Sequence, residues 1–304
     1  MKKIALITIF SLTVCGLMAQ ENNLQNYTPS ILFGKGDFEF KTFQNYYTQT
    51  RSFETASSKG PAGQRQHFFT SINQFLYGLN SQINVGFDVW YRSTGLPLQG
   101  FMDVDGDLIF ERNGELRVRQ SGVSLVGPKI KIAPFKKLSR LSIQSTYLFQ
   151  TINDQENRLP ESNRNGFFFT HDRSIWLTQF FYDKPFSDKF QLFFQQAFWY
   201  SNVRDSFRQN NYLETQTSVF FSYFADSRWT IYGMTEYFPT HYNDAEQRAE
   251  FASNWFVQSG VGLKYQLVPG LIETELLYTN FWLGSVGNGA GQTFNLGVRV
   301  INQK

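Results

Sequence analysis

The chain has 304 residues, a formal net charge of +3, 18% aromatic residues and a single cysteine, Cys15. So small a basic excess argues against a nucleic-acid binder. Cys15 sits inside an apolar N-terminal run, so the chain beyond it has no disulfide, no thiolate metal site and no cysteine nucleophile.

The chain starts Met1-Lys2-Lys3, runs apolar over 4–19 and turns polar at Gln20-Glu21-Asn22-Asn23. A basic start, a short apolar core and a small residue before a polar junction predict a signal peptide over 1–19, cleaved after Ala19. The run falls short of the roughly 20 apolar residues that a membrane helix needs. Residues 20–36 read as a polar, periplasmic lead ending at Gly34-Lys35-Gly36, and residues 37–304 as one β-domain. No later stretch approaches a membrane helix, and the mean hydropathy is −0.34.

The first strand is expected over 37–51, with Phe38 and Phe40 opposite Glu39 and Lys41. The turn-rich stretch 55–61 predicts a loop, and the second strand is expected over 67–79. In the third, Ile83, Val85, Phe87, Val89 and Tyr91 alternate with Asn84, Gly86, Asp88, Trp90 and Arg92. A period of two places the sets on opposite faces of a strand.

Residues 93–115 form the longest connection, and its Asn113-Gly114 predicts a small hairpin of its own. Strands over 116–133, 141–151, 167–182, 190–200, 212–224 and 229–238 follow. The aromatic pairs Phe167-Phe168 and Phe193-Phe194 read as positions in a membrane-interface girdle. Three clean strands close the chain. Trp255, Val257, Val261, Leu263, Tyr265 and Leu267 face away from Phe256, Gln258, Gly260, Gly262, Lys264 and Gln266. Ile272, Thr274, Leu276, Tyr278 and Trp282 face away from Glu273, Glu275 and Thr279. Phe294, Leu296, Val298 and Val300 face away from Asn295, Gly297 and Arg299.

Short turns and longer connections take turns along the chain. That regularity predicts an all-β fold: an antiparallel transmembrane β-barrel of about 12 strands, with 10–14 possible, after a cleaved signal peptide. The apolar face then meets lipid and the polar face lines the lumen. The expected lumen-lining set is Glu39, Lys41, Asp88, Arg92, Arg117, Arg119, Lys129, Lys131, Glu214, Glu236, Lys264, Glu273, Glu275 and Arg299, with Arg51 on the same face. Glu273 and Glu275 stand between Lys264 and Arg299 on neighbouring strands, which predicts cross-strand ion pairs. Gly86, Gly260, Gly262 and Gly297 are expected to leave room inside.

Asp103, Asp105 and Asp107 resemble a calcium loop in composition, but the spacing misses the EF-hand pattern. A surface hairpin is the expectation, and no cofactor or metal is called for. His171 and Ser174 fall on opposite faces of a strand, His67 reads as an interfacial residue, and no hydrolase signature is present. An enzyme is therefore not expected.

The stretches Met18-Ala19-Gln20, Gly36-Asp37-Phe38-Glu39-Phe40 and Gly127-Pro128-Lys129-Ile130-Lys131-Ile132 carry a likeness. In them the chain resembles the uncharacterised outer-membrane β-barrel proteins of the Bacteroidota. The resemblance implies a barrel in the outer membrane of a Gram-negative envelope, with the lipid bilayer and the outer-membrane assembly machinery as partners. The lumenal charge and glycine set points to a small passive, porin-like channel for polar or anionic solutes. A structural or surface-binding barrel with a lumen closed by ion pairs is the alternative, and a rim-located lipid-acting enzyme a weaker one.

Overall fold

The computed structural model describes residues 29–97, 108–112, 115–135, 137–138, 140–151, 173–203, 211–242 and 254–302. The expected signal peptide, the start of the lead, His171 and the Asp103–Asp107 loop lie outside them. The strands are β1 (Phe38–Phe53), β2 (Lys59–Asn80), β3 (Ile83–Pro97), β4 (Leu108–Arg112), β5 (Glu115–Ile132), β6 (Leu141–Gln150), β7 (Arg173–Pro185), β8 (Phe190–Val203), β9 (Tyr212–Phe224), β10 (Trp229–Tyr242), β11 (Asn254–Val268), β12 (Ile272–Gly284) and β13 (Gln292–Asn302).

The sheet order is β3-β2-β1-β13-β12-β11-β10-β9-β8-β7-β6-β5-β4, and β3 also pairs with β5. That pairing closes the ring. The short β4 lies outside it, against the start of β5, with Arg112 opposite Glu115. It is the small hairpin that Asn113-Gly114 led one to expect. Twelve strands therefore make the barrel, and every pairing is antiparallel. Closure satisfies the backbone of every strand without an open edge, which is what a sheet in lipid requires.

One end of the barrel carries the tight connections, for example Ser81-Gln82 between β2 and β3 and Pro269-Gly270-Leu271 between β11 and β12. Gly270 adopts φ 77°, the left-handed conformation that favours glycine in such a turn. This is the turn end; the longer connections gather at the loop end.

The outward face is apolar. Phe87, Ile130, Trp176, Ile231, Val261, Leu276 and Trp282 are all exposed on it. Aromatic pairs mark both rims. Trp229 and Tyr265 (4.3 Å between ring centroids) and Phe190 and Phe221 (5.7 Å) lie toward the turn end. Tyr46 and His67 (5.8 Å) and Tyr237 and Trp255 (6.2 Å) lie toward the loop end. An apolar belt between two aromatic girdles is the surface of a transmembrane barrel.

Several sequence expectations are corrected. β2 begins at Lys59, eight residues before the expected start, because 59–61 pair with Arg51, Ser52 and Phe53 across a register shift at Gln49/Arg51. That irregularity accommodates Pro61, which cannot donate to the ladder. Arg51 lies past the shift, exposed near the loop end of β1. Phe193 is no girdle residue: it is buried inside the barrel against Phe181 and Phe220. The interior is also less polar than the alternation implied. Trp90, Leu125, Leu148, Ile175, Leu177 and Ala197 form an inner apolar cluster, with Leu125 and Leu148 0% exposed. A barrel of this size fills part of its own interior with side chains.

Candidate functional site

The polar row of each strand builds the lumen in layers. At the turn end, the N-terminal segment crosses the interior before β1 begins. The Ser30 hydroxyl donates to Asp183 of β7, whose other oxygen accepts from Gln191 at 3.0 Å. The Lys131 ammonium donates to the Ile31 carbonyl at 2.5 Å. Asn84 holds Phe33 from both sides, accepting from its N–H at 2.9 Å and donating to its C=O at 3.0 Å. The Phe33 ring packs with Leu76 and Ile301. Part of the expected polar lead is thus an internal crosspiece.

Beside it lie the buried charges. Asp88 and Lys129 pair directly, each 1% exposed, and Gln74 donates to Asp88 at 3.1 Å. Arg299 lies between two carboxylates, Glu39 at 3.3 Å and Glu273 at 3.5 Å. Lys264 is 3.9 Å from Glu275, which also accepts from the Tyr232 hydroxyl. A buried charge is tolerable only when its partner is in place.

Above this layer opens a cavity of about 770 Å3. Of the residues expected in the lumen, Lys41, Arg92, Glu214, Glu236, Lys264, Glu275 and Arg299 line it. Glu39, Asp88, Lys129, Lys131 and Glu273 belong to the buried layer beneath. Arg92 sits over the Trp90 ring at 5.4 Å, and Glu214 accepts from Thr240 at 3.5 Å. The side chains of Arg117 and Arg119 are outside the described residues. Their backbone positions pair with Pro97 and Gly95, past a shift at Trp90/Tyr91 that puts Val123, and not Ser124, opposite Tyr91. At the shift itself Ser124 is buried and Val123 exposed, so the inward row changes parity there, as a one-residue slip exchanges the faces.

The glycines do not simply leave open space. A Cβ on Gly262 would meet the Tyr232 ring at 2.1 Å, and one on Gly297 would meet Phe43 at 3.1 Å. Both positions are seats for inward-facing rings.

Toward the loop end five inner rings touch one after another. Phe238 stacks on Phe256 (5.2 Å between centroids, 4° apart), Phe256 reaches Phe281 (4.8 Å), Phe281 reaches Tyr47 (5.3 Å), and Tyr47 reaches Phe68 (5.6 Å). All five line the cavity. Two residues nearer the turn end on the same strands stand Glu236, Gln258, Thr279, Asn45 and Thr70. Glu236 accepts from Gln258 (2.7 Å), Gln216 (2.6 Å) and Ser218 (2.9 Å), and Thr279 donates to Gln258 (2.8 Å). Asn45 donates to Asn295 at 2.6 Å. An aromatic collar thus overlies a layer of amides, hydroxyls and one carboxylate. Reading the sequence for charge passed over the collar. Its signal was there, in aromatic residues recurring within the polar rows, as at Phe256.

No known family profile matches the chain, and no curated protein matches it. Among solved structures, the fold resembles an outer membrane channel from Pseudomonas putida F1, with 9% identity and a TM-score of 0.61 over 90% of this chain and 98% of that one. It also resembles the beta domain of the Bordetella autotransporter Brka, with 10% identity and a TM-score of 0.53 over 88% and 99%. At such identities the likeness is one of fold: a closed outer-membrane-type β-barrel.

Proposed function

We propose that the protein is a porin-like passive channel of the outer membrane, admitting small polar or anionic solutes. The observation that carries the reading is the cavity of about 770 Å3 inside the closed barrel, walled by charged and amide side chains. Lys41, Arg92, Glu214, Glu236 and Glu275 would set the field along it, as rings of charge do in selective pores. The solved channel with the same fold supports this assignment. The kinship with Bacteroidota barrels, a signal peptide removed at Ala19 and insertion by the outer-membrane assembly machinery belong to the same proposal, which contains no catalytic step. Single-channel conductance of the refolded protein in a planar bilayer tests it: discrete conductance steps are expected.

A second reading, a structural or surface-binding barrel with a closed lumen, is favoured by one observation. The turn end is occupied by the crosspiece through Ser30 and Phe33 and by the Asp88–Lys129 pair. A folded, membrane-inserted protein without conductance would select that reading.

A further inference from the structure

The two upper layers of the lumen present complementary chemistry at a fixed spacing. A step of two residues along a strand is roughly 6–7 Å, so Phe256 and Gln258 on β11, Phe238 and Glu236 on β10, and Phe281 and Thr279 on β12 each lie about one six-membered ring apart, while Phe281 also stands directly opposite Gln258. Aromatic faces carry partial negative charge and attract the weakly positive C–H face of a saturated ring. Amides and hydroxyls both donate and accept, as do the hydroxyls of a polyol. An aliphatic or aromatic hydrocarbon would use the collar and gain nothing from the layer beneath.

The charge of the layer decides further. Glu236 is only 6% exposed, and among the described residues its partners Gln216, Ser218 and Gln258 are all uncharged. Its negative charge is held by amide and hydroxyl dipoles, and it opposes a second carboxylate at the same level. A cavity of about 770 Å3 falls within the roughly 300–1,000 Å3 of small-molecule sites.

We infer that the collar of Phe256 and Phe281 above Glu236 and Gln258 is a binding subsite for a neutral sugar in its ring form. The inference rests on the channel reading only in that the solute enters the lumen from the loop end. It narrows the solute class from polar or anionic to uncharged cyclic polyols at this level.

The test is calorimetric titration of the refolded full chain, in a detergent without a sugar headgroup, with maltose, sorbitol and galacturonic acid as probes. Maltose should bind, and open-chain sorbitol and anionic galacturonate should bind roughly tenfold more weakly, a difference of about 1.4 kcal/mol. Phe256→Leu and Phe281→Leu keep an apolar side chain but lose the ring, and should lose the preference for maltose over sorbitol. Glu236→Gln should raise galacturonate binding and keep maltose. Heat-modifiable migration on a gel confirms that each variant is folded. Maltose binding no better than sorbitol, or unchanged in both Leu variants, overturns the subsite. Conductance decides the channel reading separately: sugar binding without conductance sinks the channel and keeps the site, and conductance without sugar preference does the reverse.

Discussion

At the turn end, Asp88 and Lys129 face each other almost without exposed surface, Arg299 is held by two carboxylates, and the Ser30–Phe33 segment fills what lies between. At the loop end, rings from β10, β11, β12, β1 and β2 stand around a cavity, and beneath them a single carboxylate, Glu236, is held by uncharged amides and a hydroxyl. Both ends are built from the same inward rows of the same strands. The difference is what fills the space. Charges taken from water need fixed partners at short range, so the turn end is locked. Rings and amides make weaker, replaceable contacts, so the loop end can exchange its contents. A barrel can therefore hold a structural half and a receptive half in one lumen.

That contrast is open to attack in order of expected effect. Asp88→Ala leaves Lys129 buried without its carboxylate, and should cost about 3–5 kcal/mol in unfolding by denaturant. A loss of about 1 kcal/mol or less would mean the turn end is wet and the two halves alike. Leu263→Arg, on the lipid face, should cost roughly 2–4 kcal/mol near the bilayer midplane. Gln258→Arg, beside Glu236 in the receptive half, should cost less. Equal costs would erase the distinction between lumen and lipid faces.

The crosspiece gives the next largest effect. Ser30→Ala removes a hydrogen bond to a carboxylate, on the order of 1.5–3 kcal/mol, and should raise conductance by freeing the turn end. Unchanged conductance would show that the segment does not obstruct the path. Double-mutant cycles on Arg299 should then give a coupling of roughly 0.5–3 kcal/mol with Glu273 and a smaller one with Glu275, because Arg299 reaches Glu273 at 3.5 Å while Glu275 is taken by Lys264 and Tyr232. Equal couplings would mean that the charges share one diffuse field.

The smallest effect lies outside the lumen. Asp226 in the β9–β10 turn accepts from the N–H groups of Arg228 (2.7 Å) and Trp229 (2.9 Å), which hold its carboxyl below the usual carboxylate value. A depressed native pKa stabilises above the unfolded value and is lost as pH falls through the native one. Asp226→Ala should therefore lower the melting temperature slightly at neutral pH, with the gap to the unmodified protein closing under acid. A gap independent of pH would point to lost turn geometry rather than charge.

Alternation and turn spacing made the fold legible. Residues 255–301 alternate so strictly that strand and face could be read directly, which set Glu273 and Glu275 between Lys264 and Arg299; the register then puts Glu273 opposite Arg299 and Glu275 opposite Lys264. The turns at 81–82 and 269–271 announced themselves through polar residues and Gly270. These are local properties: a period of two assigns faces whatever the strand later pairs with. The same sequence signal failed where a single residue was inserted. The bulge at Trp90/Tyr91 leaves no mark in composition, yet it moves the inward row of β5 from Leu125 to Ser124.

What only the tertiary structure decided was the content of the lumen. A sequence can say that Tyr47, Phe68, Phe238, Phe256 and Phe281 share a face of their strands with polar residues. It cannot say that the five meet, because their neighbourhood is set by closure of β3 on β5 and by the stagger of twelve strands. Nor could it say that Ser30 reaches Asp183, 153 positions away. Such contacts depend on the barrel's diameter and shear, which belong to the closed ring as a whole and not to any strand within it.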